Sequence, residues 1–299
     1  VMGYLLAQGR AGRRLVDIFK SLFGWFRGGT VIAAVVVTTF FTMFTGASGV
    51  TILALGSLLT ILLAGSGYKA DDAHSLITSS GALGLLFPPS VAIIMYGTTN
   101  YFAIDVFDLF KGAIIPGFIL AVATIIYGIT KDKNIDRPKF SLNAIWVAFK
   151  GSIWELLLPI LIIVTYFTGI FTIMQTAAFA LVYTYILETF IRKDFTVKES
   201  LKVIAESIPI TGGVLMILAS ARGLSYFLID ANVPYMLSEF ITSFVHSKYL
   251  FLLLLNIFLI FVGCLMDIYS AILIVSPLII PIADSFGFIT KYLLSLPTN

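Results

Sequence analysis

The sequence predicts an all-α, polytopic membrane protein with inverted repeats, re-entrant helical hairpins and broken transmembrane helices. Three observations carry that prediction. Hydrophobic residues make up 59% of the 299 positions and charged ones 12%, with a mean hydropathy of +1.02; soluble domains hold apolar residues to roughly 45–50%. Apolar segments close to the ~20 residues a span needs recur along the whole chain. Helix breakers interrupt some of them at mid-length, most visibly in "SSGALGLLFPPS", residues 79–90. A soluble globule is therefore excluded. The single cysteine, Cys264, also excludes an internal disulfide and a cysteine-based metal cluster.

The first element is residues 9–29, where Arg10, Arg13, Arg14, Lys20 and Arg27 alternate with Leu, Ile, Phe and Trp against one acid, Asp17. This mixture reads as an interfacial amphipathic helix. Nucleic-acid binding is disfavoured because the basic stretch runs straight into hydrocarbon. Apolar segments follow at 30–44, 49–64, 76–99, 113–130, 153–170, 172–190, 208–229, 249–266 and 268–282, with polar loops between them. The chain divides accordingly into an interfacial part (1–29), a first repeat (30–130), cytoplasmic loops with scaffold helices (131–206) and a second repeat (207–299).

Lysine and arginine bias sets orientation, so 9–29, 131–150 and 191–206 are expected on the cytoplasmic side. Counting back from 131–150 through two crossings returns the chain inside at 66–75. Segments 30–44 and 49–64 must then begin and end on the same side. Their connector, "TGASG" at 45–49, is too short and uncharged for a surface loop. A hairpin whose tip stops inside the membrane is the simpler reading, and two short full spans the alternative.

Such a tip has a chemical use. A helix that stops within the bilayer leaves unpaired carbonyls at one end and unpaired amides at the next start. Carbonyls suit a small cation, and the amides with their positive dipole end suit a carboxylate. Gly46 and Gly49 are free to turn, and Thr45, Ser48 and Thr51 add hydroxyls. In the following segment Pro88 and Pro89 remove backbone donors and disfavour helix in the residue before them. Ser90 stands where the helix restarts, able to cap it or to bind an ion. Gly81 and Gly84 permit close backbone approach. An ordinary proline kink is the bland alternative for this break. Two interrupted segments side by side instead fit an ion-coupled secondary transporter.

The second half repeats the plan. Residues 252–287 hold an apolar run, a break near Gly263–Asp267 and a second apolar run, inverted relative to the first hairpin on the charge of loop 230–248. Asp267 at that tip reads equally as an ion contact or a helix cap. Arg222, inside "MILASARGLSYFLI", is costly against lipid; it reads as a substrate contact, or as a structural arginine that snorkels or caps a break near Gly223.

Five blocks, "LVDIFKSLFGWFRGG", "FTGASGVTILALGSLL", "GYKADDAHSLITSSGALGLLFPPSVAIIMYG", "GIFTIMQTAAFALVY" and "DIYSAILIVSPLIIPI", resemble successive blocks of the large membrane subunit of tripartite ATP-independent periplasmic (TRAP) transporters. The resemblance covers nearly the whole chain. It implies an elevator-type, sodium-coupled importer of organic acids (a dicarboxylate, sialic acid or a similar carboxylate) in the bacterial inner membrane. It also implies a small membrane subunit and a soluble periplasmic substrate-binding protein as partners. On that resemblance the first tip matches Gly46, Ser48 and Gly49, the broken helix Gly84, Pro88, Pro89 and Ser90, and the second tip Gly263 to Asp267. Of these, Gly46, Ser48, Gly49, Gly84, Pro88, Ser90, Gly263 and Asp267 are the expected sodium ligands, and Ser48, Thr51, Ser90 and Arg222 the expected substrate contacts. Two departures stand out. The family's G-I-F-T-P-T-E-A-A-A has Ile173 and Gln175 in place of its proline and glutamate, and Arg222 is not expected at its helix. The family's opening helices and its second broken helix, with a T-P-P-x-G stretch, lie outside this sequence, as in a chain truncated at both ends.

Two other classes compete. "GASG" at 46–49 fits the G-x-S-G of rhomboid-type intramembrane serine proteases, for which Ser48 would need a base; the histidines are His74 and His246. A passive channel would need a ring of acidic residues or a filter-like repeat, and neither is present. No HExxH, P-loop or dinucleotide fingerprint occurs, so no enzymatic activity is expected.

Overall fold

A computed structural model describes residues 1–99, 106–131 and 140–288, and all regular structure among them is helical. Seven of these helices are long and apolar enough to cross a membrane, and a bent pair forms an eighth candidate span. The chain separates into two compact units, Val1–Val91 with Phe107–Ile210, and Ala92–Val106 with Thr211–Asn299.

The first unit opens with α1 (Met2–Gln8) and α2 (Ala11–Phe23). On α2 the residues at positions 11, 12, 15, 16 and 18 are buried, a one-sided spacing that makes a helix amphipathic. That stripe packs on α3 (Gly29–Thr45) and α8 (Leu142–Phe167). The expected interfacial helix is thus amphipathic, with its apolar face spent on protein and Arg13, Asp17 and Lys20 exposed. Helices α3 and α4 (Ser48–Gly65) form the hairpin, and α5 (Ala70–Leu83) lies against both. Val31, Val35, Phe41, Leu55, Leu59 and Leu76 fill the space between them.

One end of this unit is fastened by polar contacts. The Ser66 hydroxyl donates to Thr30 Oγ1 at 3.1 Å, the Tyr68 hydroxyl donates to the Gly128 carbonyl at 3.1 Å, and Lys131 pairs with Asp72 at 3.4 Å. Gly128 and Lys131 belong to α7 (Val106–Lys131). Both arms of the hairpin, the start of α5 and the end of α7 therefore share one end, as the count of crossings requires.

Helix α9 (Ile173–Ile186) starts with a capping box, in which Thr172 Oγ1 accepts from the Gln175 amide at 3.4 Å and Gln175 Oε1 accepts from the Thr172 amide at 2.9 Å. Glutamine serves that box as glutamate does, so the departure at 175 keeps the helix start. A π-type turn, Leu187–Ile191, continues α9.

The second unit contains the later part of α10 (Val197–Asp230), then α11 (Val233–Phe244), α12 (Lys248–Leu265) and α13 (Ile268–Ser285). Phe251 of α12 stacks on Phe286 at 4.6 Å between ring centres, beside Val245 and Ile282. Several stretches read as polar loops are helical instead. The loop expected at 191–206 is α10 from Val197 onward, and 230–248 holds α11. Their charges mark the exposed faces of helices rather than unstructured connections. Part of each of the loops 100–112 and 131–150 lies outside the described residues.

Candidate ion and substrate site

The first hairpin turns in two residues. Gly46 ends α3 in the left-handed region at φ 68°, and extended Ala47 begins α4. That φ strains any residue with a Cβ, which explains glycine at the tip. The first turn of α4 receives no side-chain cap, so its opening amides and dipole face outward from the tip. Ser48 is half-buried and Gly49 exposed.

Beneath the tip lies a threonine network that the sequence reading did not find. Thr42 Oγ1 donates to the Gly81 carbonyl at 2.7 Å and lies 2.8 Å from Thr51 Oγ1, which is 3.0 Å from Thr45 Oγ1. A hydroxyl has one proton. With that of Thr42 spent on Gly81, Thr51 must donate to Thr42. Thr42 and Thr51 are fully buried. The available signal was the threonines at 38, 42 and 45, spaced along one side of an apolar helix.

The broken helix meets this tip through its glycines. A Cβ on Gly81 would stand 2.9 Å from Ile52 Cγ1 and 3.9 Å from the Ser48 carbonyl oxygen. One on Gly84 would fall 2.6 Å from Thr42 Cβ and collide with the Thr39 carbonyl. Past Gly84 the chain makes a short 3-10 turn, Gly84–Leu86, and leaves the helix at extended Phe87, as a residue before proline should. The Pro88–Pro89 peptide is cis. Ser90, fully buried, donates its hydroxyl to the Leu85 carbonyl, tying the restart to the turn. Helix α6 (Val91–Thr99) then begins. Phe87 packs against Gly117 and sits edge-on to Phe118 at 5.4 Å, so α7 holds the break in place.

The second hairpin also turns in two residues, Met266 and Asp267, between helices of 18 residues each. Asp267 caps α13, accepting from the Tyr269 amide at 3.0 Å, the Ser270 amide at 3.3 Å and the Ser270 hydroxyl at 2.5 Å. Gly263 lies inside α12 and is exposed, a turn before the break. Met266 and Ser270 line a cavity of about 410 Å³ with Met216, Ser220 and Leu224 of α10. Arg222 is exposed on α10, which runs without interruption past Gly223. The expected helix break there is absent, so Arg222 caps nothing at Gly223.

The structure thus joins Gly46, Ser48, Thr51 and Gly84 around the first tip, with Ser90 one turn beyond. It puts Asp267 in the second tip. The protease alternative fares poorly. Gly81 abuts Ser48, whereas His74 stands seven residues earlier on α5, about 10 Å along the axis, and both histidines are exposed.

Two tight hairpins, the first neutral at its tip and the second capped by Asp267, together with a broken span among helices long and apolar enough to cross a membrane, define a polytopic membrane protein. Comparison with known proteins agrees. The model of the DctM component of the tripartite ATP-independent periplasmic transporter matches residues 1–292. A C4-dicarboxylate TRAP transporter large permease protein of Pseudomonas aeruginosa is 30% identical over 95% of this chain and 67% of its own length. One of the same name from Rhodobacter capsulatus is 28% identical over 95% and 68%. The 2,3-diketo-L-gulonate TRAP transporter large permease protein of Escherichia coli is 26% identical over 95% and 67%. The chain belongs to the DctM family of TRAP transporter large permeases, which are transport proteins and not enzymes. It spans about two thirds of the length of these relatives.

Proposed function

We propose that this chain imports an organic acid across the bacterial inner membrane in symport with sodium. In this reading it receives substrate from a soluble periplasmic binding protein and works beside a small membrane subunit. The observation that carries the reading is the seating of the first hairpin tip on the broken span. Ser48 meets Gly81, which lies about 16 Å along α5 from its start, before the break and well short of the far end of the span. Non-helical backbone at such depth is tolerated where it lines a site.

The donor set fits a small hard cation. Around Gly46, Ser48, Gly49, Gly84, Pro88 and Ser90 the available ligands are neutral oxygens, carbonyl and hydroxyl, which suit sodium better than a transition metal. Gly263 and Asp267 supply the corresponding region of the second hairpin. When sodium is held at the first tip, it lends positive charge to a set of groups that are themselves uncharged. The uncapped amides of α4, with the hydroxyl of Ser48, then orient a substrate carboxylate, while Ser90 keeps its proton on the Leu85 carbonyl. Closure of the tip against the break commits the hairpin-bearing part to move as a body against the scaffold helices. The names of the relatives share an acid as substrate, and carboxylate is the class proposed here.

The test is uptake of a labelled dicarboxylate into proteoliposomes carrying the permease, its small subunit and its binding protein. Uptake that needs an inward sodium gradient supports the reading. Uptake indifferent to sodium, and driven by a proton gradient instead, overturns it.

A further inference from the structure

The first unit buries three carboxyl groups and two guanidinium groups in one cluster. Glu155 of α8, Glu188 of the π-type turn and Asp194 just beyond it have side chains 2%, 0% and 6% exposed. Arg192 forks onto Glu155, with Nε at 2.8 Å from Oε1 and Nη2 at 2.6 Å from Oε2, and also reaches the Gly151 carbonyl. Arg14 forks onto Asp194, with Nη1 at 3.2 Å from Oδ1 and Nη2 at 2.8 Å from Oδ2. Its Nε lies 2.5 Å from Glu155 Oε1, close in distance although the N–H is not directed at that oxygen.

Glu188 receives what remains. Among the described residues the cation in contact with it is Arg14, whose Nη2 stands 3.5 Å from both of its oxygens and is already nearer to Asp194. Three acids face two cations, so one negative charge is in excess within a buried site, and burying an unpaired carboxylate is costly. Desolvation works against the charge on Asp194, yet hydrogen bonds from Arg14, from the Arg10 amide at 2.8 Å and from Glu188 hold its carboxyl below the usual range. Glu188 thus lies within hydrogen-bonding reach of a group committed to being a carboxylate. Two carboxyls share a hydrogen bond only when one of them carries a proton.

We infer that Glu188 is a proton-binding site, resting as a neutral carboxylic acid that donates its hydrogen bond to Asp194. The charged groups around Glu188 are Arg14 from α2, Glu155 from α8, with Arg192 paired to that glutamate, and Asp194 from its own segment. From the α1 side comes the backbone of Gly9, where a Cβ would stand 2.7 Å from Glu188 Oε2. Release of the proton to water places a second negative charge beside Asp194 and draws Arg14 away from it. That loosens the clasp on the start of α2. None of this depends on sodium or on the transported substrate.

The experiment is infrared spectroscopy of the whole chain in lipid nanodiscs, unlabelled and labelled with ¹³C-glutamate. At neutral pH the inference expects an isotope-sensitive carbonyl band of a protonated acid, lost in Glu188→Gln and kept in Glu155→Gln. The remaining glutamates, at 199, 206 and 239, are exposed, so the band in the unmodified chain is informative even if a variant fails to fold. No such band, or one that survives Glu188→Gln, overturns the inference. Stability against pH gives a second readout. An acid protonated in the fold but ionised when unfolded makes the folded-to-unfolded ratio fall by up to about tenfold per pH unit above the ordinary glutamate range. That slope should be present in the unmodified chain and absent in Glu188→Gln; parallel profiles would overturn it.

Discussion

The Thr42 hydroxyl donates to the Gly81 carbonyl at 2.7 Å, joining residues 39 positions apart and binding the hairpin to the broken span just below the tip. Thr42→Val keeps the shape of the side chain but leaves the Gly81 carbonyl and the Thr51 hydroxyl without this partner. It should cost about 1–3 kcal/mol, the desolvation penalty of a buried polar group left unpaired. Thr38→Val is the control, because among the described residues that hydroxyl bonds to the Ala34 and Val35 carbonyls of its own helix. Unfolding in detergent monitored by circular dichroism compares the two, and Thr42→Val should be the less stable.

The glycines of the site should rank by what surrounds them. Gly84→Ala drives a methyl into Thr42 and the Thr39 carbonyl and should cost about 1–3 kcal/mol, as overpacking does. Gly46→Ala must hold φ 68° and should cost about 1–2 kcal/mol. Gly49 has no atom within 4 Å of a Cβ, so Gly49→Ala should be neutral or mildly stabilising within a helix. The same unfolding measurement gives the order.

Asp267→Ala removes the cap of α13 and should lower stability by about 0.5–2 kcal/mol, while Asp267→Asn, which retains an accepting oxygen, should recover most of the loss. Thermal unfolding of the two variants in parallel checks this. Equal loss in both would mean that charge, and not capping, is what the fold needs at the second tip.

Asp194 predicts a response to acid. Its carboxyl is held below the ordinary value of 3.8 by the Arg14 and Arg10 hydrogen bonds, against opposing desolvation. A depressed acid adds stability that is fully present above the unfolded value and lost as pH falls through the folded one. The unmodified chain should therefore lose stability below about pH 4 more steeply than Asp194→Asn. Stability of both measured from pH 6 down to 3 tests the sign.

Much of this molecule was legible in its sequence because hydrocarbon is a strict solvent. The span positions followed from hydropathy, and the two breaks from Gly46 and from Pro88 and Pro89, since backbone groups without partners are rare in a bilayer. What escaped was long-range and polar. Nothing local marks Thr42 as reaching Gly81, or Arg14 as meeting Glu155, Glu188 and Asp194, because those pairings arise only when α2, α8 and α9 pack. Arg14 read as one more basic residue on an interfacial helix. Helix α11 was also missed, the charges of Asp230, Glu239 and Lys248 having suggested a loop over 230–248. At Asp267 the cap that the sequence could not separate from an ion contact is now visible in three hydrogen bonds.

Sodium dependence of uptake in Ser48→Ala tests the central claim most directly. Ser48 stands at the tip, half-buried, whereas Ser90 is also engaged in holding the break together. If the tip and the break hold sodium, half-maximal uptake by the reconstituted Ser48→Ala permease should need about tenfold more sodium, equivalent to about 1.4 kcal/mol, with the fold intact. A sodium curve that superimposes on that of the unmodified protein would contradict it.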